Sequence, residues 1–366
     1  MIIKIPQKQL MDFWPFFKGH RFLNPLAQNL IWSKVEGYAD DLKNPEVIMF
    51  LCQQWACYLS GNSKVENLKE FLEKIPEKAF IYVPSQEWES RLKTQWTYLG
   101  YFLRTELSTQ NLSLQNIQRL LVAIPEGFEI KKVDVEVVKR ILSQNLADHW
   151  VNVINYLGGP ERFVEEGVGF CIQEGEKIIS IVIGFKASMP ITKSVELDIV
   201  THPDYRGRGF ATLVSAKLIE YLLKKGIEPH WDAANPLSSK LALKLGFTNP
   251  VPYKCYYWRK TPWTILDLKK TYDSQFKKGL VNINIIKSEL ESLSTKVQVE
   301  ETKFSILSRL GKTRGNFNGI LLNINRFLES KIVNDVDIPH FKQYCEKIKL
   351  QLNIIDKLKY EIMSLD

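Results

Sequence analysis

The most constraining feature of this 366-residue chain is one strand–turn–helix unit between residues 195 and 225. Apolar residues alternate with acidic ones at its start, which predicts a strand over residues 195–200. Residues 211–225 carry apolar side chains at helical spacing. The turn between strand and helix ends in Arg-Gly-Arg-Gly-Phe-Ala, residues 206–211. The unit therefore predicts an α/β fold in which a strand leads through a glycine-rich turn into a helix.

This turn has the composition of a phosphate-binding loop. Gly207 and Gly209 let the backbone curl and approach a ligand closely. The N-terminus of the helix that follows offers free N–H groups and a partial positive charge, so it favours anions. Arg206 and Arg208 add positive charge. We predict that the turn holds a diphosphate; a tight turn without phosphate, with both arginines in solvent, is the alternative.

The charge of the whole chain agrees with an anionic ligand. Its formal net charge is +8 and its pI is near 9.0. Lysine and arginine are spread along the chain rather than packed into one block. A polyphosphate cofactor needs only a local basic patch, whereas nucleic-acid binding usually needs a basic face. The sequence therefore favours a small phosphate-bearing ligand over nucleic acid.

The remaining composition is that of an ordinary globular protein. No apolar run reaches the ~20 residues that a membrane span needs, and the N-terminus lacks the features of a signal peptide. The five cysteines form no CxxC pair, and the five histidines are dispersed. We therefore expect a cytoplasmic protein with buried thiols, no membrane contact and no metal site.

The pattern divides the chain into three regions. Residues 1–126 mix helix and strand signals and contain no evident catalytic constellation. Residues 127–260 alternate strands and helices. Residues 261–366 are helical, with apolar side chains three and four apart in coiled-coil-like seams. We expect two to four helices there, separated around the glycines of residues 311–319.

The two seams suggest a surface for assembly. A homodimer or a protein partner bound through these helices is one interpretation, and coverage of an apolar face of the preceding domain, residues 127–260, is the other. The seam residues are Ile283, Ile286, Leu290, Leu293 and Val297 in the first stripe, and Phe341, Cys345, Ile348, Leu352, Ile355 and Ile362 in the second.

The glycine-rich turn resembles the acyl-CoA-binding motif of the GNAT acetyltransferases, Gln/Arg-x-x-Gly-x-Gly/Ala. Arg206, Gly209 and Ala211 fill its three defined positions. Residues 231–247, from Trp-Asp-Ala-Ala-Asn-Pro to Lys-Leu-Gly-Phe, resemble the next strand and helix of that family. The likeness spans residues 128–258 and looks closest to the branch of the zwittermicin A resistance acetyltransferases. In that branch the N-terminal region is often a degenerate copy of the same fold, which makes the first region a candidate for such a copy.

The resemblance implies a mixed, mostly antiparallel central sheet flanked by helices, with acetyl-CoA as the co-substrate. The backbone of Ile199, Val200 and Thr201 is expected to pair with the pantetheine arm, and Asn235 to meet the pantetheine or the thioester. The pyrophosphate is expected on backbone N–H groups of Gly207, Arg208, Gly209, Phe210, Ala211 and Thr212.

Acetyl transfer to an amine needs a base that removes a proton from the acceptor. Strand alternation puts Glu196 and Asp198 on one face, about 7 Å apart from a rise of ~3.3 Å per residue. Family members often carry the base on this strand, which makes Glu196 the first candidate and Asp198 the second. The alternative is that these carboxylates are solvated or paired with Lys193, Arg206 or Arg208.

One departure from the family concerns the leaving thiolate. Many members carry a tyrosine in the helix after Asn235, thought to protonate the thiolate, and the corresponding residue here is Ala242. Tyr253, Tyr256 or Tyr257 could replace it, although aromatic residues on such a strand are more often core. Expulsion of the thiolate without an acid is also possible.

The sequence therefore predicts an N-acetyltransferase that uses acetyl-CoA to acetylate a primary amine directly, with a small-molecule acceptor; a protein is the alternative acceptor. The rival hypothesis is a catalytically degenerate acyl-CoA-binding protein that regulates or recruits a partner through its C-terminal helices.

Overall fold

The computed structural model describes residues 2–21, 23–121, 124–144, 153–155, 157–202, 205–292, 296–329 and 332–364. Leu293 of the first seam lies outside these residues, and the side chain of Val297 is not described either. Within the described residues, no helix is both long enough and apolar enough to cross a membrane.

The chain is a mixed α/β structure with a helical C-terminal extension. The strands are β1 (Ile3–Ile5), β2 (Val35–Ala39), β3 (Val47–Cys52), β4 (Ala56–Gly61), β5 (Phe80–Tyr82), β6 (Tyr98–Ser108), β7 (Glu129–Lys132), β8 (Gly167–Glu174), β9 (Lys177–Phe185), β10 (Ser194–Glu196), β11 (Asp198–Thr201), β12 (Glu228–Ala233) and β13 (Thr248–Arg259). The α-helices are α1 (Leu23–Ile31), α2 (Leu68–Leu72), α3 (Glu87–Gln95), α4 (Leu114–Leu120), α5 (Val135–Gln144), α6 (Pro160–Glu166), α7 (Met189–Thr192), α8 (Phe210–Lys224), α9 (Pro236–Leu245), α10 (Ile265–Ser292), α11 (Lys296–Glu329) and α12 (Ile338–Met363). Shorter 3-10 helices span Gln7–Phe17, Lys186–Ser188 and Asp335–Asp337.

The strands form two sheets. A nine-stranded sheet has the order β1-β2-β3-β4-β5-β13-β6-β12-β10, and a four-stranded sheet has the order β11-β9-β8-β7. The β4–β5 and β10–β12 pairs are parallel, whereas β1–β2, β2–β3, β3–β4, β5–β13 and β6–β12 are antiparallel. Every described pair of the smaller sheet is antiparallel. The expected mixed, mostly antiparallel sheet is confirmed.

The nine-stranded sheet joins the first two predicted regions. Strands β1 to β6 come from residues before 126, yet β6 lies between β13 and β12, which both follow residue 127. The domain boundary near residue 126 stays a prediction. Strands from both sides of that residue belong to the nine-stranded sheet, so residues from both halves reach the same surface.

The main core near the turn lies between α8 and the sheets. Val195, Leu197 and Trp231 are buried in one cluster with Leu213 and Val214 of α8. The predicted apolar face of the strand at residues 195–199 is therefore confirmed, with Ile199 packed at its margin. Because alternate residues of a strand point to opposite faces, Glu196 points away from this cluster.

The chain divides into two compact units. The first comprises residues 1–96, 102–205 and 209–257, and the second comprises 97–101, 206–208 and 258–366. In the second unit, α10, α11 and α12 pack against one another, and Tyr344 of α12 donates a hydrogen bond to Asp273 of α10 at 2.9 Å. Trp263 stacks on Phe327 with ring centroids 4.4 Å apart.

The structure bears on two predictions for the helical region, the break around residues 311–319 and the role of the second seam. The expected break around residues 311–319 is wrong, because α11 runs continuously from Lys296 to Glu329. The buried side chains Phe317 and Ile320 hold that stretch within the bundle, which outweighs the low helix propensity of glycine. In the second seam, Phe341, Ile348, Ile355 and Ile362 are buried, so it packs within the chain.

Candidate active site

The glycine-rich turn presents a free helix N-terminus. Gly209 is the N-cap of α8 in the left-handed region, with φ of 85°, and Gly207 has φ of 81°. The first bond of the helix runs from the N–H of Leu213 to the carbonyl of Gly209, at 3.1 Å. The N–H groups of Phe210, Ala211 and Thr212 therefore have no carbonyl partner within the helix. Because Gly209 has no side chain to cap them, they are available to an anion.

Aromatic rings hold both ends of this turn. Phe128 packs on Phe210 with ring centroids 4.8 Å apart and meets Tyr205 edge to face at 6.1 Å. The Tyr205 hydroxyl donates to a Glu174 carboxylate oxygen at 2.6 Å. Tyr205 and Phe210 flank residues 206–209 of the turn. These contacts therefore fix the positions of the two ends of that loop.

The strand before the turn changes sheets at Leu197. Its first part, β10, pairs with β12, and the N–H of Leu197 still donates to the His230 carbonyl at 3.2 Å. Its second part, β11, pairs with β9 and is an end strand of the smaller sheet. Beyond Leu197 the strand therefore separates from β12. This leaves the outer edge of β11, which contains Ile199, Val200 and Thr201, beside the opening between the two strands.

Asn235 lies just after β12, the strand that pairs with β10. It is the N-cap of α9, and its side-chain oxygen accepts the N–H of Ser238 at 3.0 Å. Pro236 occupies the first turn, as predicted from the Asn-Pro pair. The cap uses the amide oxygen of Asn235, so its side-chain NH2 remains a donor.

Glu196 is the centre of a charged cluster on the nine-stranded sheet. One carboxylate oxygen accepts the N–H of Asp232 at 3.1 Å, and the other makes a short hydrogen bond with Nδ1 of His230. The second ring nitrogen of His230 lies 3.5 Å from Glu106, and Glu106 is paired with Arg21. Glu196 is therefore paired, but with a histidine that sequence analysis did not consider.

The register of the strands explains this cluster. Glu196 is directly opposite His230, and Glu106 is directly opposite Asp232. Within β12, His230 and Asp232 are two residues apart, so they share the face opposite Trp231. The charged groups line up across β10, β12 and β6 on one face of the sheet.

Burial and charge shift the protonation of this cluster. Burial raises the pKa of Glu196, and the neighbouring His230 opposes that shift. Burial alone would lower the pKa of His230, but Glu196 and Glu106 outweigh it and raise that pKa to about 10. At neutral pH the His230–Glu196 pair therefore carries one titratable proton, which is on the imidazole. Because the pKa of Glu196 is raised, its carboxylate takes up a further proton at a higher pH than an isolated glutamate does.

A second arm of the cluster centres on the buried carboxylate of Asp232. The side chain of Asp232 is 0% exposed and accepts Nε of Arg104 at 2.6 Å and the hydroxyl of Tyr253 at 2.5 Å. Burial and the Asp232 charge raise the pKa of Tyr253. The Tyr256 hydroxyl donates to Glu89 at 2.9 Å. Both hydroxyl protons are therefore directed at carboxylates.

The structure separates the two acidic residues of the predicted strand. Glu196 belongs to β10 in the larger sheet, whereas Asp198 begins β11 in the smaller one. Ala242 is on α9, and its side chain is buried in the core. Arg21, Arg104 and Glu106 all come from the first region, in which no catalytic constellation was expected. The signal of Arg104 and Glu106 in the sequence was a pair of charges two residues apart on an otherwise largely apolar strand.

Comparison with known proteins extends the likeness to that first region. The family model described as GNAT acetyltransferase matches residues 20–256. A protein named uncharacterized N-acetyltransferase YdfB, from Bacillus subtilis (strain 168), is 26% identical over 237 residues, which are 60% of this chain and 84% of that protein.

Comparison with solved structures gives similar chains. A GCN5-related N-acetyltransferase-like protein from Streptococcus suis 89/1591 superposes with a TM-score of 0.55 at 23% identity, over 69% of this chain and 99% of that one. A GNAT-family acetyltransferase from Colwellia psychrerythraea superposes with a TM-score of 0.48 at 12% identity, over 70% of this chain and 98% of that one. The Streptococcus suis structure supports a common fold for most of the chain.

Proposed function

Because the chain belongs to the GNAT acetyltransferase family, we propose that it transfers an acetyl group from acetyl-CoA directly to a primary amine of a small molecule. The free N-terminus of α8 at Gly209 is the observation that carries this proposal. It offers three adjacent N–H donors with no side-chain cap, which suits a pyrophosphate. The finer likeness to the zwittermicin A resistance branch supports an amino-group antibiotic or metabolite as the acceptor.

The cofactor groove would run from α8 to the opening beside β11. The pyrophosphate would bind the N–H groups of residues 207–212. The pantetheine arm would extend the smaller sheet along Ile199, Val200 and Thr201, because β11 is an end strand and an extended ligand can add along such an edge. Asn235 would donate its side-chain NH2 to the pantetheine. This geometry brings the thioester toward Leu197, where the strand changes sheets.

Glu196 would be the general base. An ammonium acceptor gives one proton to the Glu196 carboxylate, and the neutral nitrogen then attacks the thioester carbon. The N–C bond forms, the C–S bond breaks, and the amine loses its second proton as coenzyme A leaves as the thiol. Each carboxylate oxygen of Glu196 has accepted one hydrogen bond and keeps a second lone pair for the incoming proton. Asp198 is the second candidate for the base.

The thiolate would leave without a dedicated tyrosine. Ala242 cannot supply a proton, and the hydroxyl of Tyr253 is held by Asp232. A thiolate is a good leaving group, since free thiols have pKa values of about 8.5. Backbone N–H dipoles beside the opening would stabilise its charge.

The alternative function is an acyl-CoA-binding module that recruits a partner through the second unit. Two observations favour it: Ala242 replaces the family's tyrosine, and Glu196 is already ion-paired. The outer face of α12 carries exposed Leu350 and Tyr360, which a second copy or another protein could cover. Light scattering that gives a monomer at micromolar concentration would argue against a homodimer through that face.

Turnover with a panel of amines decides between enzyme and module. Purified protein, acetyl-CoA and a mixture of amino-group antibiotics, polyamines and peptides are incubated together, and acetylated products are identified by mass spectrometry. An enzyme produces amides in equal amount to free coenzyme A, and Glu196→Gln lowers that rate at neutral pH without loss of coenzyme A binding. Binding of coenzyme A with no amide from any amine would support the module.

A further inference from the structure

A row of alternating charges connects the proposed base to the protein surface. The exposed fraction of the side chains rises from 14% at Glu196 through 23% at His230 and 28% at Glu106 to 40% at Arg21. The row crosses β10, β12 and β6 and ends in the segment before α1. Its charges alternate: carboxylate, imidazolium, carboxylate, guanidinium. Three of these four groups have no part in the acetyl-transfer step described above.

We propose that His230 is a positioning residue that orients the Glu196 carboxylate and maintains its charge, and that Glu106 and Arg21 hold His230 in the protonated state. This inference rests on the proposed function of Glu196 as the base. It assigns a role in the active centre to residues that lie before residue 126. The first half of the chain thus completes the site instead of only supporting it.

The geometry of the ring supports positioning over proton transfer by the histidine itself. Nδ1 faces Glu196 and Nε2 faces Glu106, so a protonated ring uses both N–H groups as donors to carboxylates. It has no lone pair left to accept a proton from the acceptor amine. Together with the N–H of Asp232, the ring fixes both oxygens of Glu196. The remaining lone pairs then point in defined directions.

The charges around His230 determine its protonation. Glu196 faces it from β10, Glu106 from β6, and Asp232 lies two residues along its own strand. Arg21 compensates Glu106, and Arg104 compensates Asp232. Because Glu106 and Asp232 are compensated in this way, the positive charge of the His230 ring lowers the pKa of Glu196, whereas burial raises it. Loss of the ring charge should therefore raise the pKa of Glu196.

This reasoning makes a directional prediction for His230→Gln. The variant keeps one N–H donor but loses the charge. We expect kcat at pH 7 to fall about tenfold or more, the KM for acetyl-CoA to stay within about twofold, and the acid limb of the kcat profile to move up by about one pH unit. His340→Gln, an exposed histidine on α12, is the matched control and should leave the profile unchanged. An acid limb at the wild-type pH in His230→Gln would overturn the proposal.

Histidine NMR tests the row without any acceptor. In the wild-type protein, the His230 ring should keep its proton at pH 8, and in Glu106→Gln it should lose that proton at lower pH. A His230 ring that is neutral at pH 7 in the wild type would also overturn the proposal. If the ring is protonated but no amine is acetylated, the proposed function fails and the charge row stands. Glu106→Gln replaces His230→Gln in the argument if the latter does not fold.

Discussion

Gly209 and Gly226 lie at opposite ends of α8, and both have left-handed backbones with open space where a Cβ would be. We predict that Gly209→Asp abolishes coenzyme A binding, because its carboxylate would occupy the free N–H groups and repel the pyrophosphate. Isothermal titration calorimetry with coenzyme A measures this loss.

Gly226→Asp provides the control for backbone strain. A side chain at either glycine costs roughly 1–2 kcal/mol of stability in the left-handed region, but only residue 209 lies at the anion-binding end of the helix. We expect Gly226→Asp to lose stability and keep its affinity for coenzyme A. Unchanged affinity in Gly209→Asp would remove this turn from the cofactor site.

A second prediction at the scale of a residue concerns the effect of His20 on the pH dependence of stability. Its ring is buried against Phe17 and Tyr58, and burial lowers its pKa from 6.5 to about 4, although the nearby Leu59 backbone opposes the shift. Below pH 6.5 the unfolded chain therefore binds a proton that the folded chain does not, so stability falls as the pH drops toward 4. His230 has the opposite sign: its stabilising proton is fully present below pH 6.5 and is lost as the pH rises toward 10.

His20→Phe should remove the acid-sensitive contribution of His20. We expect wild-type protein to lose about 2 kcal/mol more unfolding free energy than the variant between pH 7 and pH 5. Urea denaturation at the two pH values measures the difference. His340→Phe, at an exposed position, should behave like wild type. Equal losses in His20→Phe and wild type would contradict a neutral, buried ring.

Residue identities predicted the geometry of the glycine-rich turn better than they predicted the charged cluster. Gly207, Gly209 and Asn235 have local roles, as a left-handed turn and a helix cap, that their own neighbours in sequence determine. The partner of Glu196 is 34 residues away, and Glu106 is 124 residues from His230. These contacts depend on which strands pair and in what register, which local patterns do not specify.

At the scale of elements, the glycines of α10 and α11 differ in their surroundings. Gly279 of α10 is buried, and a Cβ there would overlap the ring of Phe317 on α11. Gly319 of α11 is exposed, with no atom within 4 Å of an added Cβ. Gly279 therefore allows the two helices to approach, whereas Gly319 only weakens helix propensity.

We predict opposite effects of alanine at these two positions. Gly279→Ala should destabilise the protein by about 1–3 kcal/mol through overpacking, and Gly319→Ala should stabilise it by roughly 0.5–1 kcal/mol. Thermal unfolding of the two variants measures both. A stabilising Gly279→Ala would show that α10 and α11 do not pack closely at this point.

Periodicity predicted the helix α8 and the helical character of residues 261–366, and it failed where tertiary contacts decide. The helix α8 was evident from the apolar spacing of residues 211–225. Strand β6 was not predicted, because its aromatic and charged residues show no clear alternation. It nevertheless lies in the middle of the nine-stranded sheet and supplies Arg104 and Glu106.

At the scale of the whole molecule, the two halves of residues 1–260 act as one structure. The family match begins at residue 20, and one sheet contains strands from both halves. The sequence resemblance alone began at residue 128, because the motif that carries it lies in the second half. The cofactor site that we propose in the second half and the charge row shared by both halves are consistent with this arrangement.

The central claim is that coenzyme A lies along β11 and the N-terminus of α8. Amide hydrogen exchange, measured with and without coenzyme A, tests it most directly. Bound coenzyme A should slow exchange at residues 199–201 and 210–212, and no such change should occur in Gly209→Asp. Binding of coenzyme A with unchanged exchange at both segments would contradict it.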